Sequence, residues 1–461
     1  MSRASFYTGS ETQLPSGQLE VTEQGQSAES LPRRYIGKAA LLLCIFAILF
    51  LRDPKCITHP ELWAEDGAMF FRQQLLSGAR AILLTSGGYL QLAPRILALV
   101  TAAFPVAWAP LLYAIESILV AGACCWAFVL NPFRAVFRSE LIRGVLCLVA
   151  ATGFPAQELI GNITNVQWFF MLVAVPLTLV PPRCRTGMSR VLFITLGLLI
   201  ALSAPLTIVL LPLIAIRAMR TRSAEYFSLA IAAGTLIEWV VIARHWTPHG
   251  ATVHEGLLAT ANALAFTTLV AFTNQVMMFC LLGRAVTQGV WTHDYGGFSL
   301  VLLLSFACAQ VVLYRSGSRE YRTKVRIFMW LILSALVLAM LRGMEPVFSK
   351  MSSVQPFGSH RYYLLACWCL ALLVSAAILD RRPHWPERKQ TAVLAAIFLF
   401  GAIGNFRVAS QFATEWQPYA SEVQAWQADR NAGREHAEVT VPISPKGWVV
   451  DLPKLEASPA K

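Results

Sequence analysis

The chain has 461 residues, of which 56% are hydrophobic and only 14% charged, with a formal net charge of +12. A soluble domain of this length would carry about a quarter charged residues, and the mean hydropathy of +0.55 excludes an ordinary water-soluble enzyme. The positive charge does not gather in one patch, which excludes a nucleic-acid binder. It recurs in short clusters between apolar stretches, among them Arg134, Arg138 and Arg143, then Arg315, Arg319, Arg322, Lys324 and Arg326. That is the pattern of cytoplasmic loops under the positive-inside rule.

Residues 1–34 are rich in Ser, Gln, Glu and Gly and predict a disordered cytoplasmic tail. A first span follows from about 35 to 52. It ends in Leu51-Arg52-Asp53 rather than in small residues, which marks an uncleaved span and not a signal peptide. Arg33, Arg34 and Lys38 before it keep the N-terminus in the cytoplasm, so residues 53–90 form a first outer loop. A surface-lying segment is expected from about 90 to 104, then an inward span from about 108 to 130. Spans at 143–155 and 166–182 flank a polar loop, QELIGNITN.

Residues 191–216 predict a tight hairpin of short helices broken at Ser203-Ala204-Pro205, because basic clusters flank both ends. A further span, 224–243, leads to the outer loop RHWTPHGATVHEG. The stretches 257–282 and 298–314 each approach the ~20 apolar residues that a crossing needs. Two crossings there would put the basic loop 315–326 outside, so one of them is expected to be re-entrant or interfacial. Spans at 327–342, 362–379 and 391–405 complete the set.

The expected fold is an all-α polytopic membrane domain over 35–405, with about 10–11 transmembrane helices and extracytoplasmic interfacial helices, followed by a small extracytoplasmic tail over 406–461. In that tail Phe412, Trp416, Tyr419, Val423 and Trp426 recur at steps of four and three, one face of a helix. The segment VTVPISPKGWVV reads as a short strand with a turn. Eight of the ten cysteines lie inside apolar stretches, where they act as small hydrophobes and imply no disulfide framework.

Three constellations could carry chemistry. The first outer loop, HPELWAEDGAMFF, holds His59, Glu61, Glu65 and Asp66. Neighbouring carboxylates repel, which raises the pKa of one and suits it to take a proton from an acceptor hydroxyl; a solvated loop is the plain alternative. The second is Glu158, Asn162, Asn165, Gln167 and Trp168, polar groups between two spans that either line a cavity or cap a loop. The third is Gly358-Ser359-His360-Arg361-Tyr362-Tyr363 at the mouth of a span, where Arg361 could clamp a phosphate or reach lipid headgroups. Arg95, after Pro94, is a weaker instance of the same kind. His245, His249 and His254 share a loop at spacings that fit no zinc pattern.

Taken together these residues resemble the GT-C superfamily of membrane glycosyltransferases. The resemblance lies in the order of parts: Glu65-Asp66 after the first span, surface helices with GYLQLAPRI, a polar loop from Glu158 to Trp168, and Gly-x-x-Arg-Tyr at the head of a late span. WAEDG, Asn-x-x-Asn-x-Gln-Trp and HRYY also look like bacterial members that decorate O-antigen or other surface polysaccharide. A departure is that the family's second acidic position falls among Glu158 and two Asn residues, which leaves a divalent cation as an optional cofactor.

The resemblance implies an inner-membrane enzyme with a cytoplasmic N-terminus and a periplasmic C-terminus. It would use a polyprenyl-phosphate sugar donor and a glycan, lipid or protein acceptor, with membrane lipids around it. Asp66 or Glu65 would be the base, Asp66 preferred, and Arg361 would stabilise the leaving phosphate, with His360, Tyr362 and Arg95 beside the substrates. A transporter or flippase for a lipid-linked saccharide is the alternative; it would need polar groups within spans, for which Glu116 and Glu238 are the main candidates.

Overall fold

The computed structural model describes residues 30–154, 158–180, 186–222, 225–245, 257–292, 296–349, 360–407 and 415–457. The expectations for residues 1–29, His249, His254 and Phe412 lie outside that set. The chain divides at Cys44; the first unit holds the opening of helix Ser30–Arg52, and the architecture below belongs to the second, from Ile45 onward.

Among the described residues, six helices are long and apolar enough to cross a membrane: Tyr35–Arg52, Val106–Ala135, Tyr226–Arg244, Leu264–Leu282, Gly297–Ser316 and Arg361–Arg381. The pair Gly187–Ala201 and Pro205–Thr221, bent by 114° at the expected break, would be a seventh. The fold is therefore all-α and multi-pass, with fewer qualifying spans than the ten or eleven expected. For two of the expected spans the reason is length. The helices Glu140–Thr152 and Val166–Leu179 have 13 and 14 residues, so the longer extends roughly 21 Å against about 30 Å of hydrocarbon. Val166–Leu179 instead packs inside the protein, buried at nearly every position. Both stretches between 257 and 316 form helices that qualify, joined by a short helix, Arg284–Thr292.

The bent pair holds the first loop in place. At the break, Ser203 and Leu202 accept from the start of helix Leu92–Thr101: Ala93 N donates to Ser203 Oγ at 2.8 Å and Leu92 N to Leu202 O at 3.1 Å. Glu238, buried on the helix Tyr226–Arg244, accepts from Leu90 N at 3.0 Å. Two N–H groups that the helix start leaves orphaned, and the Leu90 N–H just before it, are thus satisfied from other parts of the chain.

A second polar knot ties several helix ends together. Buried Arg52 donates to the carbonyls of Ala151 (2.5 Å), Phe154 (2.8 Å), Asn405 (3.0 Å) and Phe406 (3.3 Å). The Asn405 side chain donates to Gly153 O and Phe279 O, both at 2.8 Å, and accepts from Arg284 N at 2.9 Å. Nearby, helix Glu387–Gly404 approaches the carbonyl of Cys280 so closely that a Cβ on Gly401 would lie 1.8 Å from it.

The tail forms a helix, Gln417–Asn431, and an antiparallel hairpin of β1 (Val439–Ile443) and β2 (Trp448–Leu452). The single strand expected in this segment is thus a pair. Val439, Val441 and Ile443 point inward while Thr440 and Pro442 are exposed, the period-2 pattern of a half-buried strand. Trp416, Val423 and Trp426 of the predicted aromatic face are buried in one core with Leu62, Phe70 and Phe71 of the first loop. Burying each such side chain contributes about 1.5–3 kcal/mol, so the tail is held by the loop it covers.

Candidate functional site

The first loop enters the site through backbone pairing with the tail. Ser444 N donates to Leu62 O at 3.2 Å, and Ala64 N donates to Ser444 O at 2.5 Å. Ser444 Oγ donates to the buried carboxylate of Glu61 at 2.5 Å. The fit at Gly67 is close: a Cβ there would come within 2.6 Å of Ile443 Cδ1, whose side chain would have to give way. Ala64 sits at φ 24° and Asp66 opens a π-helical turn, Asp66–Phe71. Gln91 and Glu158 also have positive φ, at 53° and 71°. Strained backbone and π-turns of this kind collect at functional sites.

Glu65 and Asp66 are neighbours with opposite surroundings. Asp66 is 1% exposed. Its Oδ2 accepts from Ile163 N at 3.0 Å; its Oδ1 accepts from Thr164 N at 2.9 Å and from the Thr164 hydroxyl. Burial pushes its carboxyl up to about 7, against the pull of these three donors. Asp66 is thus a clasp that binds the first loop to the 163–165 turn, with no face open to a substrate. Glu65 is half-buried and carries no hydrogen bond among the described residues. Its charge is felt at Glu158 and at Arg361, so the three groups stand close together.

The polar loop splits in the same way. Asn162 and Asn165 are buried, and their side-chain amides both donate to the backbone carbonyl of Glu158, Asn162 at 2.7 Å. Asn165 N donates to Asn162 Oδ1 at 3.1 Å, and Trp168 Nε1 to Asn165 Oδ1 at 3.1 Å. They cap the loop rather than line a cavity; what they hold is Glu158, in its left-handed conformation, and the Trp168 ring. Burial raises the Glu158 carboxyl above the usual range; the Arg361 guanidinium lowers it and Glu65 adds to the rise. Gln167 is buried and donates to the hydroxyl of Tyr89 at 3.3 Å, while its own amide oxygen has no partner.

The turn His360–Tyr363 brings the third part. His360 opens it. The Arg361 guanidinium lies over the Tyr362 ring at 5.5 Å, and Tyr362 meets Trp168 edge-on at 5.0 Å. Arg361 makes no hydrogen bond to the described residues, and its guanidinium carries five N–H donors. Tyr89, buried on the first loop, also lies within electrostatic reach of Arg361.

The structure therefore brings Glu65, Glu158, Arg361, Tyr362 and Trp168 to one place. It keeps Asp66, Asn162 and Asn165 behind them as supports. Arg95 corrects the expectation of an interfacial clamp: it is 1% exposed, donates to Leu90 O (2.9 Å), Gln73 Oε1 (2.9 Å) and Ala81 O (2.8 Å), and lies over the Phe70 ring. Tyr89, Thr164 and Ser444 carried no signal in the sequence, since each acts on a segment far away in the chain. Among the described residues no group of three or more His, Cys, Asp or Glu side chains gathers to hold a metal ion. Glu65 and Glu158 lie within electrostatic reach of Arg361, whose charge opposes a second cation there. No family model matches the chain, and no curated protein matches its sequence.

Proposed function

We propose that the chain is a membrane glycosyltransferase that moves a sugar from a polyprenyl-phosphate donor to an acceptor hydroxyl at the extracytoplasmic face of the bacterial inner membrane. The observation that carries this is that the Glu65 carboxylate lies within electrostatic reach of the Arg361 guanidinium beside the Tyr362–Trp168 pair, neither group having a hydrogen-bond partner among the described residues. Glycosyl transfer from a phosphate needs these groups. A carboxylate takes the acceptor's proton as the new C–O bond forms. A guanidinium offers paired N–H donors to the phosphate oxygens as the old bond breaks and charge develops. Aromatic rings supply the apolar faces that sugar C–H groups pack on.

Glu65 takes the base role in preference to Asp66, because a base must reach the proton it abstracts and Asp66 is enclosed. Glu158, whose carboxyl burial raises above its usual range, can accept a hydrogen bond from a sugar hydroxyl. The transporter reading draws on carboxylates within spans, but Glu238 is engaged in holding the first loop.

The test is surface glycan analysis of a deletion strain complemented with variants. Glu65→Gln should lower transfer by about 10²- to 10⁴-fold, the usual loss of general-base catalysis, with the protein inserted at normal level. Full restoration of the glycan by Glu65→Gln and by Arg361→Ala would end the enzyme reading.

A further inference from the structure

A cavity stands apart from the Glu65–Arg361 mouth: Glu65, Glu158, Arg361 and Trp168 do not line it. It has a volume of about 1070 Å³ and lies between residues 74–84 of the first loop, the helix Leu92–Thr101 and the tail helix. That size is at the top of the range for ligand pockets, roughly 300–1,000 Å³. Phe71, Leu75, Leu99 and Phe104 give its walls an apolar side, beside the polar Ser77, Thr101, Gln427 and Asn431. Its charges are all of one sign, Arg80 and Arg430, with no Asp or Glu in the lining. Arg80 is exposed; Arg430 donates to the carbonyls of Leu75 and Leu76, which hold its position and leave its charge uncompensated. Gln74 also lines the cavity; it is 8% exposed, and its amide oxygen has no partner.

Apolar side chains are exposed at the cavity, at Leu84 and Phe104, and near them in the chain. Leu83, Leu84, Val100, Phe104 and Trp108 are all exposed, an apolar patch that water would not tolerate and acyl chains would. They stand where the candidate span Val106–Ala135 begins, the level at which tryptophan favours the membrane interface. An apolar trough with a cationic rim at this depth complements an amphiphile with an anionic head.

We propose that this cleft holds one anionic phospholipid of the surrounding bilayer, its acyl chain along Leu75, Leu99 and Phe104 and its phosphate beside Arg80 and Arg430. The Gln74 amide, turned over, donates to an ester carbonyl. The inference rests on the multi-pass membrane fold and is independent of the transferase reading.

The full-length protein is reconstituted in phosphatidylcholine vesicles with a trace of photoreactive phosphatidylglycerol, and the adducts are mapped by mass spectrometry. Labelling is expected within residues 74–84 and 98–108. Ala102→Trp, which fills the cleft from an exposed position, should remove it. Arg80→Glu should weaken it by about fivefold or more, the effect of one basic contact to an anionic lipid. Unchanged thermal unfolding of both variants shows that they are folded. Equal labelling of the parent and both variants overturns the proposal. So does equal labelling by photoreactive phosphatidylcholine, or displacement of the probe by stoichiometric polyprenyl phosphate, which would make the cleft a donor site.

Discussion

Two buried polar regions of this protein differ in what their groups are left to do. In the knot around Arg52 and Asn405, the Asn405 side chain and the Arg52 guanidinium are matched to main-chain partners from separate helix ends. At the mouth around Glu65, Glu158 and Arg361, charges gather but the Glu65 carboxylate and the Arg361 guanidinium have no fixed hydrogen-bond partner among the described residues. Satisfied polar groups specify structure; unsatisfied ones at an accessible mouth are available to a ligand. Asp66 and Glu65 show that this division can run between adjacent residues.

The largest expected effect breaks the knot. Asn405→Leu strands the Gly153 carbonyl and the Arg284 N–H in a buried place, and at about 1–3 kcal/mol for each orphaned group it should cost about 2–6 kcal/mol. Thermal unfolding in detergent would show it as a steep loss of folded protein; a variant as stable as the parent would dissolve the contrast.

Asp66→Asn comes next and sharpens the split between neighbours. An amide can accept at only one of the positions where Asp66 now accepts, so a backbone N–H of Ile163 or Thr164 meets an N–H group, at a cost of about 1–3 kcal/mol. Transfer per folded molecule should fall far less than in Glu65→Gln. The pH dependence has a definite sign. The folded carboxyl is raised from 3.8 to about 7, so between these values the folded protein binds more protons than the unfolded chain. Its contribution to stability therefore falls as pH rises through that window and levels off above it. The Asn variant should lack this slope, which unfolding temperatures across the window would reveal.

A smaller effect belongs to the aromatic pair. Tyr362→Leu removes the edge-on contact with Trp168 and the ring beneath Arg361. Aromatic contacts of this kind contribute about 0.5–1.5 kcal/mol, so donor affinity should weaken by roughly threefold to tenfold, with little change in the unfolding temperature. An unchanged apparent KM would remove Tyr362 from the site.

The smallest is the control for both regions. Lys324 and Glu320 pair at 2.7 Å along one helix, with Glu320 largely exposed. Lys324→Gln should change stability by no more than about 0.5 kcal/mol. A larger effect would mean that surface charges matter as much as the buried knot.

The sequence by itself determined the membrane class, most of the qualifying spans, the break at Ser203-Ala204-Pro205 and the aromatic face of the tail, because all of these rest on local composition or on a period within one element. It also named the three segments that meet at the mouth. What it could not decide was which member of each segment faces the ligand. Glu65 and Asp66 differ by one step along a π-turn, and only the Ile163–Thr164 donors, nearly a hundred residues away, turn Asp66 inward. The asparagines at 162 and 165 read equally as cavity lining or as caps until the Glu158 carbonyl was seen between them. Arg95, placed by sequence at the interface, is drawn inward by carbonyls of the loop that folds around it. The short helices Glu140–Thr152 and Val166–Leu179 are apolar enough to suggest spans, yet the neighbouring helices bury them instead. Each of these outcomes depends on a partner distant in sequence, and such partners are set only when the helices pack.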